Sequence, residues 1–70
     1  CEFKITEPSP IVGVALSQLG GKLREGVLIT AIRRGASIIL PRGADSILVG
    51  DSVIVITKNL PISKLKDIMK

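Results

Sequence analysis

The sequence predicts an α+β fold: a small four-stranded, largely antiparallel sheet with a short helix after the first strand and a C-terminal helix. Two observations lead to this prediction. Aliphatic, strand-like runs at residues 27–33, 37–40 and 52–57 are separated by Gly, Pro and Asp turn signals. These runs lack the regular alternation of strands and helices that a parallel sheet requires. The predicted element order is β-α-β-β-β-α, within a single domain that covers residues 1–70.

The first strand is predicted at residues 1–6, where Phe3 and Ile5 alternate with charged residues. Two prolines end it, Pro8 and Pro10, because proline cannot donate a hydrogen bond to a sheet. A short helix is predicted at residues 15–19, where two leucines lie three residues apart. It ends at the glycine pair that follows, as helices commonly do.

Residues 27–33 and 37–40 are predicted to form a β-hairpin, because the Arg-Gly-Ala stretch between them is a natural reversal. Pro41 closes the second arm, since its backbone has no N–H to donate. A polar loop follows the proline, and a short apolar stretch then returns toward the core.

The last strand is predicted at residues 52–57, after the turn signal of Gly50 and Asp51. After Asn59, Pro61 suits the first turn of a terminal helix. That helix is predicted to place four apolar residues on one face: Ile62, Leu65, Ile68 and Met69.

The two longest strands are predicted to be apolar on both faces. The last strand places Val53 and Val55 on one face and Ile54 and Ile56 on the other. The earlier strand is expected to place Val27, Ile29 and Ala31 on one face and Leu28 and Ile32 on the other. Two short helices cannot cover both faces of the sheet, so one apolar face needs a partner. We expect a homodimer; the alternative is burial against another part of a longer parent chain.

The chain has 70 residues and a formal net charge of +4, with one cysteine and no histidine. A basic balance is typical of nucleic-acid or anionic-ligand binding, and alternatively of scattered charges that keep an apolar domain in solution. A single cysteine excludes an intrachain disulfide, and the ligands of the usual zinc site are missing. No run reaches the ~18 apolar residues of a membrane span. Because the chain begins at Cys1 within a predicted strand, we expect a C-terminal fragment of a cytoplasmic protein.

The sequence argues against an enzyme. There is no histidine to act as a base, the serines lack an activating partner and the carboxylates are scattered. Asp45 and Asp51 are predicted to be turn residues whose side chains bond nearby backbone. The polar cluster of interest is Arg33 and Arg34 at the hairpin, with Arg42 further along the chain. These arginines suit phosphate binding; alternatively, they keep the hairpin edge from pairing with other sheets.

Four stretches, in this order, carry a resemblance to a known family. They are SPIVG at residues 9–13, LSQL at 16–19, GVLITAIRRG at 26–35 and IILPRGADSILVGDSVIV at 38–55. Over essentially its whole length the chain resembles the TrkA C-terminal domain, also called the RCK C-terminal domain, of Trk-type potassium uptake regulatory proteins. Val14 and Ala15 depart from the family pattern, which usually has a lysine and a small hydroxyl residue at these positions.

The resemblance implies a non-catalytic regulatory domain that forms a homodimer. It implies a location on the cytoplasmic side of a membrane potassium transporter or channel, which the parent protein gates. A Rossmann-type domain that binds NAD or another nucleotide usually precedes the domain in the parent chain. Some members bind cyclic di-AMP in the dimer cleft, so this or another small anionic ligand is expected here. Carried onto this chain, the ligand-binding positions are Ile32, Arg33, Arg34, Ile38 and Pro41.

Two further interpretations stay open from the sequence. Residues 39–55 also resemble the AbrB type of DNA-binding domain, which pairs a strand ending in proline with a later Gly-Asp strand. Residues 42–49 are short for the helix that such domains place between the two, and the strands lack exposed basic residues that could follow phosphates. We therefore expect no nucleic-acid partner. The last interpretation is a purely structural oligomerisation domain.

Overall fold

Four strands form one antiparallel sheet. The computed structural model describes residues 1–58, 62 and 64–70. The strands are β1 (Glu2–Lys4), β2 (Val27–Arg34), β3 (Ser37–Ile39) and β4 (Ser52–Thr57). They lie in the spatial order β1-β4-β2-β3, and each neighbouring pair runs antiparallel. The predicted four-stranded, antiparallel sheet is therefore confirmed.

The predicted hairpin joins β2 to β3. Arg34 pairs with Ser37, so Gly35 and Ala36 alone form the connection. Gly35 has a φ of +59°, in the left-handed region that glycine occupies at little cost. Two-residue hairpin turns use positive φ because it matches the right-handed twist of the strands. β2 extends one residue beyond its predicted end, and β3 stops one residue short of Leu40.

The core lies against one face of the sheet only. Eight hydrophobic side chains are at most 2% exposed: Ile5, Ile11, Leu19, Ile32, Ile47, Val53, Val55 and Ile68. They come from two strands, β2 and β4, and from segments outside the strands. Val53 and Val55 face this core, whereas Ile56 on the other side of β4 is 60% exposed. The sheet therefore has one covered face and one that the described residues leave uncovered.

A β-bulge in β2 changes which residues face the core. The register pairs Ile29 with Val55 but Ala31 with Ile54, so one extra residue lies between them. Thr30 occupies this position, and its hydroxyl donates to the Ile54 carbonyl at 3.1 Å. A bulge of one residue reverses the alternation of faces beyond it.

The expected faces of β2 are therefore wrong beyond the bulge. Leu28 is 61% exposed while Ile32 is fully buried, although uninterrupted alternation places them together. Ala31 pairs with Ile54 and lies on the uncovered face, not with Val27 and Ile29.

The predicted short helix at residues 15–19 is a 3₁₀ turn, Leu16–Gln18. Its first two amides donate outside the turn: Leu16 N–H to the Asp45 carbonyl at 2.8 Å and Ser17 N–H to the Gly43 carbonyl at 3.0 Å. A segment this short gains little from α-helical bonds, so contacts with the neighbouring loop decide its conformation.

The described part of the C-terminal helix is also a 3₁₀ turn, Leu65–Ile68. Ile68 is buried, and the residues predicted to share its face are partly buried against the core. Lys66 is exposed. Met69 then bridges to Leu23 in antiparallel fashion, which ends the turn. The predicted helix start at Asn59 and Pro61 lies outside the described residues.

Across the described ranges, no helix combines the length and the apolar character needed to cross a membrane.

Candidate functional site

The face of the sheet opposite the core, here called the outer face, carries both apolar and charged side chains. Its members are Glu2, Lys4, Leu28, Ala31, Arg33, Ile38, Ser52, Ile54 and Ile56. Leu28 and Ile56 pair across β2 and β4, and each is about 60% exposed. Large aliphatic side chains grouped in this way form an apolar patch, which usually marks a contact surface.

The outer face divides into two ends along the strands. The apolar end consists of Leu28, Ala31, Ile54 and Ile56, which are cross-strand neighbours. The cationic row lies at the other end, where Ser52 pairs with Lys4 on one side and with Arg33 on the other. Ile38 lies beside this row, because it pairs with Arg33 on the neighbouring strand; its side chain is 56% exposed.

Arg33 pairs with a carboxylate on the same face. One guanidinium nitrogen lies 3.3 Å from an Oε atom of Glu2, across the intervening strand β4. Both side chains keep about half of their surface exposed. Exposed ion pairs of this kind contribute little to stability, so Arg33 can leave Glu2 for another anion at small cost.

Arg34 points to the opposite side and has a structural role. Its guanidinium donates to both carboxylate oxygens of Asp51, at 2.9 and 2.8 Å, and to the Ser46 carbonyl at 2.9 Å. Asp51 is 2% exposed and also accepts from the Leu48 N–H at 2.9 Å. The bidentate ion pair between Arg34 and Asp51 holds the loop before β4 against the end of β2.

The contact between Arg34 and Asp51 shifts the pKa values of both side chains. The hydrogen bond from Arg34 lowers the pKa of Asp51, and the Leu48 N–H and the charge of Lys4 act in the same direction against burial. The same hydrogen bond raises the pKa of Arg34 above its usual value. Both shifts favour the charged forms, as expected for a pair held by hydrogen bonds.

The predicted ligand-binding residues occupy four different places. Arg33 and Ile38 lie side by side on the outer face. Arg34 is engaged with Asp51, because neighbouring residues of a strand point to opposite faces. Ile32 has none of its surface exposed and packs in the core. Pro41 is half-buried in a groove away from the cationic row.

That groove is an open depression of about 420 Å³. The first 3₁₀ turn, the beginning of β2 and residues 41–43 surround it. Its walls are largely apolar, and Arg24 and Arg42 are among the residues that line it. Arg42, which the sequence grouped with Arg33 and Arg34, therefore lies apart from the cationic row, in a groove that shares Leu28 with the apolar end of the outer face.

The two aspartates predicted to stabilise turns do so. Asp45 accepts a hydrogen bond from the Arg42 N–H at 2.8 Å, and Asp51 accepts one from the Leu48 N–H. Within residues 1–58, 62 and 64–70, no three His, Cys, Asp or Glu side chains are grouped as metal ligands.

Sequence reasoning missed three residues of the outer face: Glu2, Lys4 and Ser52. Alternation in the first strand does place Glu2 and Lys4 together on the polar side. The pairing of β1 with β4 brings them beside Ser52 and Arg33, and this pairing joins residues about fifty positions apart. Nothing local in the sequence specifies such a register.

Comparison with known proteins gives a family and a fold. The model of the TrkA-C domain family matches residues 1–70. No curated protein matches the chain at a significant level. Solved structures with the same fold include the RCK_C domain dimer of S. agalactiae BusR in complex with c-di-AMP. The TM-score is 0.70 at 23% identity, over 84% of this chain and 74% of that chain.

A second structure is S. agalactiae BusR in complex with its busAB promoter DNA. The TM-score, the identity and the 84% coverage of this chain are the same, but only 29% of that longer chain is matched.

Proposed function

The chain belongs to the TrkA-C domain family, and we propose that it is a non-catalytic regulatory domain that dimerises and binds a small anionic ligand on its outer face. The observation that carries this proposal is the division of that face into an apolar end and a cationic row. The apolar end supplies area for a second chain, and the row supplies charge for a ligand. We further propose that the parent protein regulates potassium uptake from the cytoplasmic side of a membrane partner.

The exposed aliphatic side chains support the dimer. Leu28 and Ile56 would each expose more than half of their area to water in a monomer. Each buried Å² of such surface contributes roughly 25 cal/mol, so pairing two identical faces is favourable. A two-fold axis through the outer face brings the apolar ends of both copies into one interface. The BusR RCK_C domains, which share this fold, are dimeric in their complex.

The cationic row and its neighbours support an anionic ligand with an apolar body. Arg33 offers a planar set of donors that matches phosphate, and its Glu2 partner is exchangeable. Ile38 next to it presents an exposed aliphatic surface for a base or ring to pack on. Cyclic di-AMP, which the BusR domain binds in its complex, combines these two chemical features.

DNA binding is the second candidate, because BusR binds promoter DNA. The matched region is 29% of that chain, so the comparison gives no location for the DNA contacts. The outer face of this chain is aliphatic along most of its length and carries two cations at one end. A surface that follows a phosphate backbone needs many more. We place any nucleic-acid contact of the parent protein in another domain. The TrkA-C match also argues against the AbrB-type interpretation.

Titration calorimetry of the 70-residue chain with cyclic di-AMP tests the proposal. We expect saturable binding with one ligand for two chains, since the ligand lies between two outer faces. Arg33→Gln should weaken binding about tenfold or more, because hydrogen bonds from a charged donor are each worth roughly 1.5–3 kcal/mol. Lys66→Gln, which removes one exposed charge elsewhere, is the control. Equal affinity of Arg33→Gln and the control would show that the site lies elsewhere.

Salt dependence separates the two candidates. A DNA-binding surface loses affinity steeply with salt, because each neutralised phosphate releases counterions. Binding to a promoter-length duplex that falls by orders of magnitude between low and moderate salt, without any response to cyclic di-AMP, would favour the second candidate.

A further inference from the structure

Lys4 and Ser52 stand in the cationic row beside Arg33, and Glu2 stands next to them. Lys4, Ser52 and Arg33 occupy three adjacent strands at one register position. Adjacent strands lie about 4.8 Å apart, so the two cations are roughly 10 Å apart at their backbones. Their long side chains can therefore converge on one anion above the serine hydroxyl.

The positive charge of the cationic row exceeds the negative charge of the carboxylates beside it. The Lys4 side chain makes no hydrogen bond or ion pair with any residue that the structure describes. Arg33 has Glu2 as its carboxylate partner. Asp51, on which the charge of Lys4 also acts, is already paired with Arg34, so Lys4 and Arg33 beside Glu2 leave a net charge of +1 at this end of the face.

We propose that Lys4, Ser52 and Arg33 together bind a phosphate or phosphodiester group, and that Glu2 is the internal anion that this group displaces. The inference rests on the proposed function, since it names the recognition residues of the same outer face. Lys4 supplies a point charge, Arg33 supplies a planar pair of donors, and Ser52 supplies a hydroxyl donor between them. A ligand must separate Arg33 from Glu2 before it can bind, so competition from Glu2 lowers the ligand affinity of the site.

The charge-neutral variant Glu2→Gln removes the competitor and keeps the side-chain shape. Because exposed ion pairs are worth about 0.2–1 kcal/mol, ligand affinity should rise by up to about fivefold. Lys4→Gln should lower affinity by about fivefold, and Ser52→Ala by about two- to fivefold, for the loss of one charge and one hydrogen bond respectively. Glu7→Gln and Lys66→Gln are matched controls, since both are exposed and lie outside the row.

Each variant is titrated with cyclic di-AMP and, separately, with inorganic pyrophosphate, which lacks the nucleobases. Thermal unfolding of each variant confirms that it is folded. Opposite shifts for Glu2→Gln and Lys4→Gln, with unchanged controls, would support the inference for either probe. Unchanged affinity in both variants, while Arg33→Gln weakens binding, would overturn it and leave the proposed function standing.

The two probes also separate failure of the inference from failure of the proposed function. If cyclic di-AMP does not bind but pyrophosphate follows the expected charge pattern, the proposed nucleotide ligand is refuted and the cationic row is supported. If neither probe binds the unmodified chain, both the proposed ligand site and the row are refuted.

Discussion

Replacing Ile56 with threonine tests whether the apolar end of the outer face joins two chains. Threonine is also β-branched, so it keeps the preference for a strand. It replaces part of the aliphatic surface with a hydroxyl at a position that the structure leaves 60% exposed. The fold of the monomer should therefore change little, whereas a dimer that buries this side chain should weaken.

The size of the effect follows from the exposed area. Complete burial of an isoleucine side chain contributes about 2 kcal/mol. The 60% that remains exposed in the monomer is the part that a partner can still bury. Threonine keeps one methyl group, so the loss is about 1 kcal/mol for each side chain. A symmetric interface contains the substitution twice, which gives about 2 kcal/mol, or roughly a 30-fold increase in the dimer dissociation constant.

Sedimentation equilibrium at several protein concentrations measures this constant directly. Val49→Thr is the matched control, because valine and threonine have the same shape. Val49 is 49% exposed and lies in the loop before β4, outside the outer face. We expect Val49→Thr to leave the dimer dissociation constant unchanged.

Three outcomes would refute the reasoning. Weakening by Val49→Thr but not by Ile56→Thr would place the interface on the loop. A dimer that responds to neither substitution would place it on another surface of the chain. A chain that stays monomeric at every concentration would refute dimerisation through this domain.

Further expectations concern stability. Asp51→Asn should lower the free energy of unfolding by about 2 kcal/mol in urea denaturation, because a buried carboxylate that accepts three hydrogen bonds loses its charge. Folding lowers the pKa of Asp51 from 3.8, so the stability from this pair is complete above that pH and is lost as the pH falls toward the folded-state pKa. The free energy of unfolding of Asp51→Asn should fall less steeply with decreasing pH than that of the unmodified chain. An equally steep fall in both would contradict the stabilising role of the Asp51 carboxylate. Gly35→Ala should cost about 1 kcal/mol because of its positive φ, whereas Gly20→Ala, where φ is not positive, should cost much less in the same assay, since a Cβ meets open space at both positions.

The strands and the hairpin could be predicted because their signals are local. Residues 53–57 form an uninterrupted run of β-branched residues shortly after a Gly-Asp turn, and β4 covers Ser52–Thr57, the range predicted. The reversal at Gly35 needs a residue that tolerates positive φ, and glycine stands there. Both signals lie within a few residues of the structure they specify, so no knowledge of distant pairing is required.

The bulge in β2 could not be predicted from the sequence. Because of it, Ala31 and Ile32 lie on the faces of the sheet opposite to those predicted. No glycine or proline marks Thr30, and the strand-like run of residues 27–33 continues through it without a break. The extra residue appears only when β2 is paired with β4, which is a long-range arrangement. Uninterrupted alternation therefore places Ile32 on the face of Leu28, whereas its side chain is in the core.

The two adjacent arginines show the same limit at the candidate site. As a sequence pair, Arg33 and Arg34 read as one basic cluster. In a strand they must point to opposite faces, so only one of them can lie on the outer face. The bulge and the register with β4 decide which one does so: Arg33 lies on the outer face with Glu2, and Arg34 pairs with the buried carboxylate of Asp51.

The two halves of the proposed function are linked through the geometry of the outer face. A ligand held between two outer faces binds the dimer and not the monomer, so it stabilises the dimer by mass action. At a ligand concentration one hundred times its dissociation constant, this stabilisation is about 2.7 kcal/mol. That exceeds the roughly 2 kcal/mol expected for loss of two Ile56 contacts. In the proposed dimer, ligand binding at the cationic row would therefore offset the loss of these aliphatic contacts, and it would shift the parent protein between states only to the extent that those states differ in this interface.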